Sequence, residues 1–257
     1  MRLVRSHNSR DWRAFVPVVL LGMAAHACQA GGDTRVALDP GKMFADANLL
    51  AAARAIESGN LPKLDSLLGS GTPVNRRGNE GATLLMFAVG TKKKDAVRDL
   101  LKHGANPNQR ADKGLSAVML AAGSDDPDLL PILLDNGANP NLLNDRDEPV
   151  TFTAGDQKRW QNLNLLLDRG ADINATDAAG DTLMVSLSFG DQYEAIVKLL
   201  ERGADFRKTA GGGWTLAHSI QGSRLRPDSP EGQWLRKAKA FLEQRGVKFP
   251  VPPPRKQ

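Results

Sequence analysis

Two histidines and one acidic cluster are the side chains of this chain best suited to chemistry. His103 and His218 have the titration range of a general base or a metal ligand, and Asp145, Asp147 and Glu148 offer carboxylates to a hard cation. Neither set forms a catalytic pattern. The acidic trio lacks the spaced oxygen ligands of a calcium loop. No Gly-x-Ser-x-Gly elbow, His-Glu-x-x-His helix or phosphate-binding Lys-Ser/Thr loop occurs in the sequence. The glycine run at 211–213 imitates an oxyanion hole only superficially, because its position in the chain is that of a turn. No catalytic residue, metal site or cofactor is therefore expected. The one enzyme reading to weigh is an uncharted hydrolase joining Asp145, Asp147 and Glu148 to His218, which would have to bridge ~20 Å, two stacked layers at ~10 Å each.

The scaffold around these residues is periodic. Gly71, Gly104, Gly137, Gly170 and Gly203 follow one another at 33-residue steps. A second series, Gly81, Gly114, Asp147, Gly180 and Gly213, runs ten residues behind with the same period. Between them lies a short apolar segment, a turn, and a segment spaced for one buried helical face, such as Ile196, Val197, Leu199 and Leu200. The first glycine of each unit supplies the left-handed residue that ends a helix without a Cβ clash.

On these residues the chain resembles the ankyrin-repeat family over about residues 44–249. The resemblance implies an all-α solenoid of about six 33-residue helix-turn-helix units with β-hairpin tips. It also implies a structural hydrogen-bonding role for His218, which takes the column of that family's Thr-Pro-Leu-His motif. That column otherwise reads Met86, Met119, Phe152 and Val185, and an apolar column at this spacing is expected in the core. His103, just before a helix-stop glycine, is expected to act as a helix-end cation.

Residues 1–30 stand outside the repeats. Arg2, Arg5, Arg10 and Arg13 precede an apolar run at 14–25 and small residues at 25–30, the pattern of a secretory signal peptide. The run is shorter than the ~20 residues of a membrane span. Export to the periplasm is expected, with no membrane span after cleavage. The single cysteine, Cys28, is a candidate for lipid attachment, although Ala25 rather than Leu stands three places before it. Removing 30 residues leaves 30 Lys plus Arg against 28 Asp plus Glu, so the pI near 9.4 does not argue for nucleic acid.

Residues 31–43 read as a linker and 250–257 as a solvated, proline-rich tail. Repeat four, residues 144–176, departs most from the pattern. Asp147 replaces a ladder glycine, Pro149 replaces a threonine, and Gly155-Asp156 interrupts the first helix. The sixth unit carries about ten extra residues, placed at 221–233, before a final helix at 234–245.

The family resemblance implies a monomeric, non-catalytic scaffold that binds another protein through the concave face of hairpin tips and first helices. Leu142 and Leu143, flanked by Asp145, Asp147 and Trp160, are the expected anchor, unless one leucine packs inward and the other is a lone exposed residue. The basic tips Arg76, Arg77, Arg110 and Lys113 are the alternative surface. Exported bacterial proteins that this chain resembles include immunity proteins neutralising secreted antibacterial effectors such as lipases, and accessories of periplasmic antioxidant enzymes.

Overall fold

Each repeat begins with an apolar segment too short to be stable alone, so its structure comes from packing. A computed structural model of the chain describes residues 38–210 and 212–254. Among these residues there are thirteen α-helices and no strand. The expected signal segment and Cys28 lie outside the described residues. The chain divides into two compact units, one ending at Ala121 and the other starting at Ala122.

The first unit opens with α1 (Pro40–Met43), capped by the Asp39 carboxylate on the Gly41 N–H. The linker expected over 31–43 is thus folded at its end, where Met43 and Phe44 are buried. Helix α2 (Ala47–Ser58) starts at Asp46, whose carboxylate accepts the N–H groups of Asn48 and Leu49, and stops at left-handed Gly59. Helix α3 (Leu61–Gly69) takes Pro62 in its first turn, where no intrahelical N–H is lost. Helices α4 (Leu84–Gly90) and α5 (Lys94–Lys102) repeat the pair. First helices pack on first helices (α2 on α4) and second on second (α3 on α5). Leu49, Ile56, Leu64, Leu84, Phe87 and Leu100 are fully buried there, and Phe44 meets Phe87 edge-on at 6.0 Å.

Helix α6 (Ala117–Gly123) spans the division, and α7 (Leu129–Asp135) follows it. The second unit continues with α8 (Val150–Asp156), α9 (Trp160–Asp168), α10 (Leu183–Phe189), α11 (Tyr193–Glu201), α12 (Leu216–Gly222) and α13 (Pro230–Glu243). Helix α10 packs on both α8 and α12, and α11 packs on α13.

The first glycine series is left-handed as expected, and the second series is left-handed too. Gly71, Gly104, Gly137, Gly170, Gly203 and Gly246 have φ between 83° and 100°, and Asp147 keeps φ 55° where its four counterparts are glycines at 75° to 78°. The expected hairpins are reduced to single antiparallel bridges, Arg110 to Ser116, Leu143 to Pro149, Thr176 to Thr182 and Ala210 to Trp214.

Three expectations are corrected. Gly155 does not interrupt its helix. It lies inside α8 against the next repeat, where an added Cβ would stand 2.9 Å from Leu183 Cδ1. The extra residues of the sixth unit are not all loop, because Ser229 caps α13 and starts it at Pro230, four residues before the expected start at 234. The proline-rich tail is docked rather than solvated. Val251 donates its N–H to Gln221 Oε1 at 2.6 Å, and the Pro252 carbonyl lies 2.9 Å from His218 Nε2.

Candidate partner-binding surface

Two inter-repeat ladders hold the tips in place. In the first unit Asn75 donates to the Gly104 carbonyl at 2.8 Å and accepts the Asn106 N–H at 2.7 Å. In the second, Asn141 donates to the Gly170 carbonyl at 3.0 Å and accepts the Asp172 N–H at 2.7 Å, while Asn174 accepts the Asp205 N–H at 2.8 Å. At the C-terminal ends of second helices, Arg169 pairs with Asp135 at 2.6 Å and Arg202 with Asp168 at 2.5 Å.

His103 does the same work in the first unit. It ends α5 and places Nε2 2.8 Å from Asp65 Oδ1 on α3, the helix-end role expected of it. The hydrogen bond from His103 holds the Asp65 carboxyl below its usual range against an opposing desolvation, with the charges of His103 and Lys102 adding to the lowering. Asp65, Asp99 and His103 also form a trio with donor atoms within 4.8 Å of one another. One imidazole and two carboxylates suit a zinc-like ion by type. Asp65 is exposed, however, and the short His103–Asp65 contact gives the trio the geometry of an ion pair between helices.

The tip of repeat four is organised by a residue the sequence reading passed over. Asn144 Oδ1 accepts the N–H groups of Arg146 and Glu148, at 2.9 and 3.0 Å, and its Nδ2 donates to Glu148 Oε2 at 3.0 Å. Asp177, 33 residues on, accepts the N–H groups of Ala179 and Asp181 in the same way, and that recurrence was visible in the sequence. Glu148 is therefore a partner within its own turn. Asp145 and Asp147 point to an exposed tip, Leu142 is half-buried, and Leu143 is 37% exposed. Of the two leucines, Leu143 is the more exposed.

Pro149 occupies the N-cap of α8 and makes no capping hydrogen bond. In repeats two and five the same column is Thr83 and Thr182, each accepting the N–H three residues on. Repeat four keeps its backbone while giving up a cap.

Trp160 does not join this tip. It begins α9, beyond the far end of seven-residue α8, which carries the chain ~10 Å at ~1.5 Å per residue. Its half-buried ring lines a groove with Leu163 and with Glu194, Lys198, Leu199 and Arg202 around α11. Sequence order placed it beside the leucines, but a helix length separates them.

The basic tips are changed as well. Arg76 is bound to Asp46 at 2.7 Å and Arg77 to Asp112 at 2.5 Å, so both guanidiniums already have carboxylate partners. The Asp46 carboxyl is held down first by the Leu49 N–H and further by Arg76. Arg110 is exposed and bridged through its backbone to Ser116. The side chain of Lys113 lies outside the described residues.

His218 is engaged at both ring nitrogens. Nδ1 receives the Thr215 N–H at 3.1 Å, so the proton sits on Nε2 and is donated to the Pro252 carbonyl. The uncharted hydrolase would need that ring free and Glu148 available, and neither is. Met86, Met119, Phe152 and Val185, the other members of this column, are buried in the core as expected.

Phe189, 58% exposed, and Trp214, 38% exposed, are the other large apolar side chains open to solvent among the described residues. Both could have been found by aligning the repeats. The column of Phe189 otherwise holds Gly90, Gly123, Asp156 and Gly222, and that of Trp214 holds Ala82, Leu115, Glu148 and Asp181.

Comparison with known proteins agrees with this geometry. A family model described as ankyrin repeats, in three copies, matches residues 49–144. The crystal structure of the ankyrin repeat domain of Bcl-3, of the IkappaB protein family, is 26% identical with TM-score 0.65, covering 80% of this chain and 88% of that one. That of EF0377, an ankyrin repeat protein, is 21% identical with TM-score 0.63, covering 76% of this chain and 96% of that one. Comparison with curated protein sequences gave no match.

Proposed function

The chain belongs to the ankyrin-repeat family, and on that premise we propose that it is a non-catalytic scaffold whose repeat-four tip, centred on Leu143, docks another protein. Such repeats serve as protein-protein interaction modules. The observation that carries the choice of site is Leu143 itself, an exposed leucine beside Asp145 and Asp147 on a turn held rigid by Asn144. Interfaces concentrate their energy in a few apolar anchors set within a polar rim. The absence of an α8 side-chain cap at Pro149, with the turn geometry preserved through Asp147, supports the same tip, because this repeat keeps its backbone without the cap that Thr83 and Thr182 provide in others.

The setting we propose is the periplasm, supported by the basic front and apolar run of residues 1–30. There the chain binds and neutralises a secreted antibacterial effector such as a lipase. Support of an antioxidant enzyme is the alternative outcome. Tagged chain recovered from periplasm, with partners identified by mass spectrometry, separates the two by the partner's identity. The bait Leu143→Asp should lose that partner, with affinity falling about thirtyfold, ~2 kcal/mol, at an unchanged thermal midpoint. A variant that melts normally and retains the partner at full affinity refutes the site, and recovery of the chain only in the cytosol refutes the setting.

A further inference from the structure

The tail of the chain shows how one face of α12 reads a peptide. Gln221 presents its amide edge to a single residue. Its Oε1 accepts the Val251 N–H at 2.6 Å, and its Nε2 donates to the Val251 carbonyl at 3.2 Å. One helical turn earlier, His218 Nε2 donates to the next carbonyl, that of Pro252, at 2.9 Å. All three bonds go to main chain, so they select an extended backbone rather than a particular side chain.

The proline pattern matches that reading. In residues 250–254, Pro-Val-Pro-Pro-Pro, Val251 carries the only backbone N–H, and that N–H is the one Gln221 receives. A segment of this kind is pre-extended and loses little conformational freedom on docking. The imidazole is fixed for the task, with Nδ1 occupied by the Thr215 N–H and the ring stacked on Trp214 at 5.2 Å. The tail itself is held lightly. Pro252 and Pro253 are exposed, Val251 and Pro254 are half-buried, and Trp214, stacked on His218, keeps 38% of its surface open.

We propose that His218 and Gln221, with Trp214 stacked on the imidazole, form a binding site for an extended Pro-x-Pro segment of a partner polypeptide, which the chain's own residues 250–254 occupy in cis as a displaceable strap. The site is separate from the repeat-four tip and stands or falls independently of it.

The test uses the full chain, a chain ending at Lys248, and a fluorescent peptide with the sequence of residues 248–257. The shortened chain should bind the peptide saturably and at least tenfold more tightly than the full chain, whose strap competes. Gln221→Ala and His218→Ala in the shortened chain should each lower peptide affinity about tenfold. A shortened chain with the helicity and thermal midpoint of the full chain that binds no better than the full chain overturns the proposal, as does binding indifferent to both substitutions. Should the shortened chain fail to fold, amide exchange in the full chain decides. Protection of the Val251 N–H that Gln221→Ala removes supports the strap, and exchange at the free-peptide rate overturns it. A concentration-dependent dimer of the full chain that loses the tail contact on dilution would place the tail in trans and overturn the cis arrangement.

Discussion

Replacing Asn141 by alanine should destabilise the second unit without altering any helix. The side chain makes two bonds to the following repeat, to the Gly170 carbonyl at 3.0 Å and from the Asp172 N–H at 2.7 Å. A net contribution of ~0.5–1.5 kcal/mol per bond gives about 1–3 kcal/mol. Both bonds lie at the surface, so water can satisfy the groups left behind, and the lower half of that range applies, about 1–2 kcal/mol. For a unit of this size that is a fall of about 3–8 °C in thermal midpoint. Urea denaturation followed by far-ultraviolet circular dichroism measures it directly. Asn141→Asp keeps the acceptor for Asp172 and loses the donor to Gly170, so it should recover only part of the loss. An Asn141→Ala chain within 0.3 kcal/mol of the parent would refute the claim that the asparagine ladder stabilises the junction between repeats.

Pro149→Thr restores the cap that other repeats use and should stabilise α8 by ~1 kcal/mol while weakening partner binding if the tip is shaped for it, as paired melting and binding measurements would reveal. Asp191 is pushed above the usual carboxylate range, first by burial and then by Glu231, so its ionised form is disfavoured in the folded state. It also holds φ 55°. Asp191→Asn should therefore raise the thermal midpoint at pH 7, and the gain should shrink as pH falls and Asp191 itself becomes neutral. Asp65 behaves in the opposite sense. Its lowered carboxyl gives stability that is complete above its unfolded value near 3.8 and is lost as pH falls through the folded value. His103→Ala should remove that contribution, so urea midpoints of parent and variant should converge between pH 4 and pH 2, and a constant gap there would contradict the pairing.

What could be read from the sequence is what each repeat must solve by itself. A helix that ends in a left-handed residue needs glycine in every copy, so Gly71 to Gly203 revealed the period. Asp147 could be identified as a turn residue because aspartate tolerates that conformation. What could not be read depends on partners distant in the chain. The tail looked solvated because its prolines offer few donors, while its docking rests on Gln221 and His218, 30 and 34 residues earlier. Gly155 looked like a helix breaker because glycine is a poor helix former, while the reason for it, that a Cβ there would collide with Leu183, lies in the next repeat. Trp160 followed the tip in sequence, but only the direction of α8 decides at which end of the helix it lies. Arg76 and Arg77 looked like free cations for want of any local sign that Asp46 and Asp112 lay opposite them.

The asparagine ladder bears on how such a chain changes length. Asn141 reaches Gly170 and Asp172, and Asn174 reaches Asp205, so the donor and acceptor of each brace sit at the same columns in successive copies. Excising residues 145–177 would bring Asn141 to face Gly203 and Asp205, an acceptor and a donor of the same kind at the same offsets. A loss or gain of 33 residues leaves every brace with a mate, whereas a loss of 32 puts the brace that spans the cut out of register. The ladder acts as a reading frame for the protein, admitting evolutionary change in whole repeats and penalising every other step.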